Sequence, residues 1–294
     1  MPLARTARAW LEVTRLSNLP TVLTNVLAGA GLTLSADAPI PWLTVGTAMF
    51  SGGGLYIAGM ALNDAADAAR DAESRPERPI PSGRLDRRAV WIVGGLLLVA
   101  GVGASATISV PAALTAGAIA LGVLAYTFTH ARHAWACVLM GACRFGLYPL
   151  GALSVVETWA DIPPAALVFG AGLGLMTVLI TLAARAEATA TPHTKRLLAW
   201  AVVFVPLCAP LLAEPGHLRT TPSLLAAVAF ALWSSWCARA AIAGRPWVAI
   251  PGWIAGFCLF DAMALAMHGQ VELAVAGGIL FAVTLAAQRV LPGS

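Results

Sequence analysis

An all-α, polytopic transmembrane bundle is predicted by three observations. Charged residues make up only 11% of the 294-residue chain, against roughly 25% in a soluble domain, while hydrophobic residues make up 59%. Mean hydropathy is +0.80. The apolar residues gather in stretches close to the roughly 20 residues that carry a helix across a bilayer, without the alternation over about 10 residues of a membrane strand. These numbers exclude a soluble domain, a disordered chain, a collagen and a disulfide scaffold. The formal net charge of +4 is too small and too scattered for nucleic-acid binding.

The spans follow in order. Arg5, Arg8 and Arg15 precede the first, 18–35, and the second, 42–62, runs into a polar segment carrying Arg70, Arg75, Arg78, Arg84, Arg87 and Arg88. Spans 89–108 and 110–129 leave and return to Arg132, and spans 134–155 and 163–184 return to Arg185, Lys195 and Arg196. Spans 197–213 and 221–242 return to Arg239 and Arg245, and spans 247–267 and 271–289 return to Arg289. Sixteen of the 18 basic residues thus fall on one set of ends; Arg219 alone marks the other, and Arg144 lies within a helix. Short cytoplasmic loops collect Lys and Arg, so ten helices are expected, with both termini in the cytoplasm. The start, MPLARTARAWLEVTRLSN, has no apolar run leading to a small-residue cleavage site. No cleaved signal is expected, and residues 1–294 read as one membrane domain.

Cys137, Cys143, Cys208, Cys237 and Cys258 sit in apolar segments without metal-ligand spacing and read as small buried hydrophobes. Glycines such as Gly52, Gly53, Gly54, Gly170, Gly172 and Gly174 read as helix-packing seams. Trp10, Trp42, Trp159, Trp247 and Trp253 read as interfacial anchors, and His193, His217 and His268 fall at loop edges.

The polar segment 63–88 holds 12 of the 32 charged residues. If the second helix continues into it, Asp64, Asp67 and Asp71, at i, i+3 and i+7, lie within about 60° on one face. Three carboxylates on one face repel. Protonation, basic partners or a hard divalent cation relieves that repulsion, and carboxylate oxygens suit Mg²⁺, which shares its shell with water and substrate phosphates. Arg75, Arg78 and Arg84, beyond a turn stiffened by Pro76, Pro79 and Pro81, are placed to clamp phosphate oxygens. A metal-diphosphate site at a membrane surface is the reading favoured over a merely solvated loop.

Asn63, Asp64, Asp67 and Asp71 reproduce an N-D-x-x-D-x-x-x-D pattern, followed by Arg75-Pro76-x-Arg78-Pro79-Ile80-Pro81-Ser82-Gly83. This segment resembles the UbiA superfamily of intramembrane prenyltransferases. Weaker similarity extends through Asn18-Leu19-Pro20, Asn25, Tyr126 and Cys143-Arg144. The resemblance implies a helical bundle around a central cavity, in which Mg²⁺ binds an isoprenyl diphosphate donor and the prenyl group passes to an acceptor, often aromatic. It implies Asp64, Asp67 and Asp71 as catalytic metal ligands, with Asn63 supporting them.

The sequence departs from that pattern in three places. The second Asp-rich motif, expected after the sixth helix, reads LAARAEAT over 182–189. Glu187 is its only acid, and Arg185 is the candidate replacement for a second cation. The family's Tyr-x-x-x-Lys becomes Tyr126-x-x-x-His130, with Arg132 as a substitute cation, since histidine is mostly neutral near pH 7 unless perturbed. Finally, nine family-like helices are joined by a tenth. These differences resemble a divergent branch such as the EboC-like members.

Arg144 inside a helix costs at least about 2.5 kcal/mol and is expected to face the cavity, and the position of Asn25 in the family pattern implies that it faces the cavity too. Asp261 reads equally as a structural hydrogen-bonding group or neutral acid and as a functional acid. The leading expectation is a Mg²⁺-dependent prenyltransferase whose cytoplasmic-side site also includes Tyr126, His130, Arg132, Arg144, Arg185 and Glu187. A CDP-alcohol phosphotransferase needs glycine after the second aspartate, where Ala68 stands. A noncatalytic carrier of a prenylated or phosphorylated lipid remains the alternative.

Overall fold

The computed structural model describes residues 2–187, 190–213 and 220–291, and among these there is no strand. Arg219 and His217, and the last two residues of the 182–189 segment, lie outside the described residues. Twelve α-helices follow in order: α1 Pro2–Val13, α2 Leu19–Gly31, α3 Trp42–Ser74, α4 Arg87–Ala106, α5 Val110–Thr129 and α6 Cys137–Ala152. Then come α7 Pro164–Ala186, α8 Pro192–Phe204, α9 Cys208–Ala213, α10 Thr221–Ile242, α11 Pro246–Met267 and α12 Val271–Val290. Seven of them, α3, α4, α5, α7, α10, α11 and α12, are long and apolar enough to cross a membrane.

Each predicted apolar stretch is helical, with two corrections. The stretch 197–213 is two helices, because Pro206 has no N–H to continue the ladder and the chain turns between α8 and α9. The N-terminal segment, read only as basic residues ahead of the first span, is itself the helix α1. Its Ala9 and Val13 are fully buried against Ala61, Ala65, Ile80 and Leu85, with Trp10 packed beside them.

Sequential helices pack side by side from α3 to α7, and α10, α11 and α12 do the same. Inside, α2 lies against α3, α6, α11 and α12. Its approach to α6 depends on glycine: a Cβ on Gly29 would run into the Tyr148 carbonyl, and one on Gly151 into the Val26 carbonyl. Gly141 and Gly174 form a similar seam between α6 and α7, where each would-be Cβ comes within 2.8 Å of the other's carbonyl oxygen. The glycine-seam reading holds at Gly174 and extends to glycines the sequence did not single out. Trp253 is a correction: it is fully buried, and its indole N–H donates to the Ser234 carbonyl at 3.2 Å, whereas Trp42, Trp159 and Trp247 are exposed. Cys208 is likewise exposed rather than buried.

The outward faces of α4, α5, α10 and α12 carry exposed leucine, isoleucine and valine. In water this would be an unstable surface, and in a bilayer it is the solvent-facing one. α3 is 33 residues long, about 50 Å, and so carries its helix past the apolar stretch into the polar segment. That extension positions the site.

Candidate functional site

At the polar end of the bundle α3 continues without a break from Asn63 to Ser74, so the three aspartates sit on one helix as their spacing requires. Asp64 and Asp71 are buried, and both turn toward Arg78, whose Nη1 lies 2.7 Å from Asp71 Oδ2 and 3.7 Å from Asp64 Oδ1. Arg15 Nη2 stands 3.8 Å from the same Asp64 oxygen. Asp67 turns aside to Arg70, at 3.1 Å, and to His130 Nε2, at 2.9 Å. Basic partners relieve the carboxylate repulsion here, and among the described residues no three acids, histidines or cysteines converge to hold an ion unaided.

The donor chemistry nonetheless fits a hard divalent cation that completes its shell with water and phosphate. The Arg78 nitrogen stands between oxygens of Asp64 and Asp71, where a positive charge is already accommodated. Asn63 is tied by its Oδ1, which accepts from the Thr127 hydroxyl at 2.6 Å.

His130 departs from the ordinary neutral imidazole. Its Nε2 faces the Asp67 carboxylate, and its Nδ1 faces the Tyr126 carbonyl at 3.0 Å. Both partners are acceptors, so only the doubly protonated ring donates to both. The Asp67 hydrogen bond accordingly raises the imidazole above its usual range, against a burial that lowers it. The carboxylate beside it thus favours the protonated ring. The ring also stacks on Tyr126, with centroids 4.9 Å apart.

Below this cluster a cavity of about 260 Å³ opens between α3, α5, α6, α7 and α11, with Arg15 and Asn18 from the connection between α1 and α2. Asn63 and Tyr126 line its mouth, with Arg15 and Ala184; Arg144 lies deeper, and the rest of its wall is largely aliphatic and aromatic. Arg144 is buried with Nη1 donating to Asn25 Oδ1 at 2.7 Å and Nη2 donating to Thr21 at 3.2 Å. Asn25 passes the contact on, its amide donating to Asp261 Oδ2 at 2.6 Å, while the Tyr148 hydroxyl donates to Asp261 Oδ1 at 2.6 Å. Asp261 is fully buried, and both of its carboxylate oxygens are engaged by these two donors.

Other candidates are placed differently. Arg84 turns to α1, with Nη1 2.8 Å from Glu12 Oε2 and Nη2 donating to the Glu77 carbonyl. Arg75 and Arg132 are exposed. Arg185 Nη1 donates to the His130 carbonyl at 3.3 Å, which brings it to the rim. Glu187 is engaged by Lys195, at 3.6 Å.

Arg15 is the residue that sequence reasoning missed. It sits at the break between α1 and α2 with φ 46° and ψ 46°, a left-handed conformation unfavourable for a side-chain-bearing residue. Its Nε is buried without a hydrogen-bond partner among the described residues. The available signal was only a basic residue just ahead of an apolar helix.

The UbiA prenyltransferase family model matches residues 22–250. A digeranylgeranylglyceryl phosphate synthase of Ignicoccus hospitalis is 37% identical over 78 residues, 26% of this chain and 24% of that protein. The match therefore spans about a quarter of that relative's length. The apo structure of a UbiA homologue from Aeropyrum pernix K1 superposes with a TM-score of 0.66 at 15% identity, covering 90% of this chain and 96% of that one. A UbiA homologue from Archaeoglobus fulgidus bound to GPP and Mg²⁺ superposes at 0.51 with 13% identity, covering 90% and 99%. The helical bundle, the Asn63–Asp71 motif at its polar end and the extent of the family match together assign this chain to the UbiA prenyltransferase family.

Proposed function

We propose that this protein transfers an isoprenyl group from an isoprenyl diphosphate to a small, aromatic or lipid acceptor, using Mg²⁺ at the end of α3. The observation that carries the reading is the junction of two unlike environments. An acidic and basic cluster built from Asp64, Asp67, Asp71, Arg15, Arg78 and His130 lies at the mouth of an apolar cavity. A diphosphate belongs in the first and a prenyl chain in the second. The Archaeoglobus homologue's GPP and Mg²⁺ support the same pairing of ligands here.

Asp64, Asp67 and Asp71 would hold Mg²⁺, with Asn63 held in place beside them by Thr127. Bound there, the ion supplies charge stabilisation for the departing diphosphate. The chain's own residues do the rest. Arg15 offers an unsatisfied buried N–H at the mouth, and Arg78 exchanges carboxylate contacts for phosphate oxygens once a cation neutralises the acids. As the allylic C–O bond breaks, the electron pair leaves with the diphosphate and positive charge develops on carbon. The acceptor's nucleophile then bonds to that carbon and loses a proton. The aliphatic wall of Leu55, Ile119, Val123 and Ile180 excludes the water that would otherwise capture it. Arg185 and His130 at the rim supply positive charge in place of a second acidic motif.

The test is Mg²⁺-dependent diphosphate release by purified protein with isoprenyl diphosphates of several lengths. Asp64→Ala and Asp67→Ala are each expected to lower release at least about 100-fold. Tight, Mg²⁺-dependent diphosphate binding without turnover for any acceptor would select the noncatalytic lipid carrier instead.

A further inference from the structure

Arg15 reaches the mouth of the cavity from a backbone conformation that residues with side chains seldom adopt, so its surroundings must hold it there. Two bonds converge on its carbonyl oxygen. The Asn18 backbone N–H donates to that oxygen at 3.0 Å, and the Tyr56 hydroxyl on α3 donates to it at 3.3 Å. The Asn18 side chain meets the same hydroxyl, and Asn18 and Tyr56 both line the cavity beside Arg15. Asn18 thus supports the turn through its backbone and through its side chain.

Asn18 is itself held from α12. Gln288, in the last turn of that helix, donates from Nε2 to Asn18 Oδ1 at 2.9 Å and to the Pro251 carbonyl on α11 at 3.1 Å. A carbonyl only accepts, so Pro251 obliges Gln288 to present its amide nitrogen, whose other N–H goes to the Asn18 oxygen. With that oxygen occupied, Asn18 turns its own amide nitrogen the other way, toward Tyr56. An acceptor at position 288 would reverse this order. The outward face of α12 carries Val275, Ile279 and Val283, and an amide among such residues is costly unless it is hydrogen-bonded. The family model ends at residue 250, so Gln288 and Arg15 both lie outside the residues it matches.

We infer that Gln288 is a positioning residue for the donor site: through Asn18 and Tyr56 it holds the left-handed turn at Arg15 and keeps that guanidinium at the mouth, beside Asp64. The inference rests on the prenyl-transfer reading for the identity of the donor, and on the geometry alone for the hold on Arg15. α12 contributes no described residue to the cavity wall, yet it acts on the site through this chain of hydrogen bonds. When the chain is cut, Arg15 is free to leave the mouth and the diphosphate loses a charge-assisted partner, while the aspartates on α3 stay where they are.

The test is made on the full-length protein in lipid nanodiscs, by hydrogen–deuterium exchange without ligand and by titration with geranyl diphosphate and Mg²⁺ without acceptor. Gln288→Leu is expected to speed exchange in segment 14–18 about tenfold, to leave segment 115–125 on α5 unchanged, and to weaken the diphosphate about tenfold. In an Asn18→Ala background it is expected to add no further loss of affinity, because the effect runs through Asn18. Unchanged exchange in 14–18, unchanged affinity, or losses that add overturn the inference. Should Gln288→Leu fail to fold, a second pair decides. Gln288→Lys donates to both acceptors and is expected to keep slow exchange, whereas Gln288→Glu offers only acceptors and is expected to lose it; equal exchange in the two overturns the inference. If the unaltered protein does not bind geranyl diphosphate with Mg²⁺, the prenyl-transfer reading fails, and the exchange comparisons still uphold or overturn the hold on Arg15.

Discussion

Arg144 and Asp261 enter the bundle as opposite charges that do not touch. Asn25 lies between them, accepting from one and donating to the other, and Tyr148 closes the far side. Neither charge is tolerable alone in a lipid-embedded core, because removing one partner leaves the other buried and uncompensated. Asp261→Ala is therefore expected to cost about 3 kcal/mol of stability, seen as a lower thermal unfolding midpoint in detergent. The double variant Asp261→Ala, Arg144→Met removes both charges and is expected to recover part of that loss. If the two losses simply add, the residues are not electrostatically coupled and the relay is a chain of independent hydrogen bonds. Sequence spacing could show that Arg144 had to find a partner. It could not show which, since Asn25 and Asp261 are 236 positions apart and meet only when α2 packs against α11.

α3 is the element that converts a motif into a site. The aspartate spacing was legible because a helix places i, i+3 and i+7 on one face wherever it stands. The direction of each carboxylate was not, since Asp67 turns to His130 at the end of α5 while Asp64 and Asp71 turn to Arg78 in the following loop. Arg15 escaped for a related reason: its role depends on a left-handed backbone between α1 and α2, which no local pattern announces. The inner helices have their own requirement, the glycine crossing of α2 and α6. Adding a Cβ there meets backbone rather than a movable side-chain tip, so Gly29→Ala and Gly151→Ala are each expected to cost about 1–3 kcal/mol. Gly117→Ala on α5 meets nothing within 4 Å and is the control, expected to leave the unfolding midpoint unchanged or slightly raised. A midpoint for Gly29→Ala and Gly151→Ala equal to that of the control would mean that α2 and α6 do not approach through these residues.

At the scale of the whole molecule, the two ends of the bundle differ in charge. The polar extension of α3, the loop after it, the α5–α6 turn with Arg132 and the start of α8 with Lys195 and Arg196 all share one end. The opposite end is marked by the Thr44 hydroxyl on α3, which donates to the Ser154 carbonyl after α6. Positive residues resist translocation, so we propose that the charged end, with the donor site, faces the cytoplasm, where a soluble diphosphate and Mg²⁺ have access to it. Two exposed acids report the two ends: Glu73 near the end of α3 and Glu157 between α6 and α7. In a Cys208→Ser background, Glu157→Cys is expected to react with a membrane-impermeant maleimide in intact cells, and Glu73→Cys only after the membrane is opened. The reverse pattern would place the diphosphate site on the outer face. The same cavity would then require a donor delivered from outside the cell, and the charge bias that first counted the helices would have misjudged their direction.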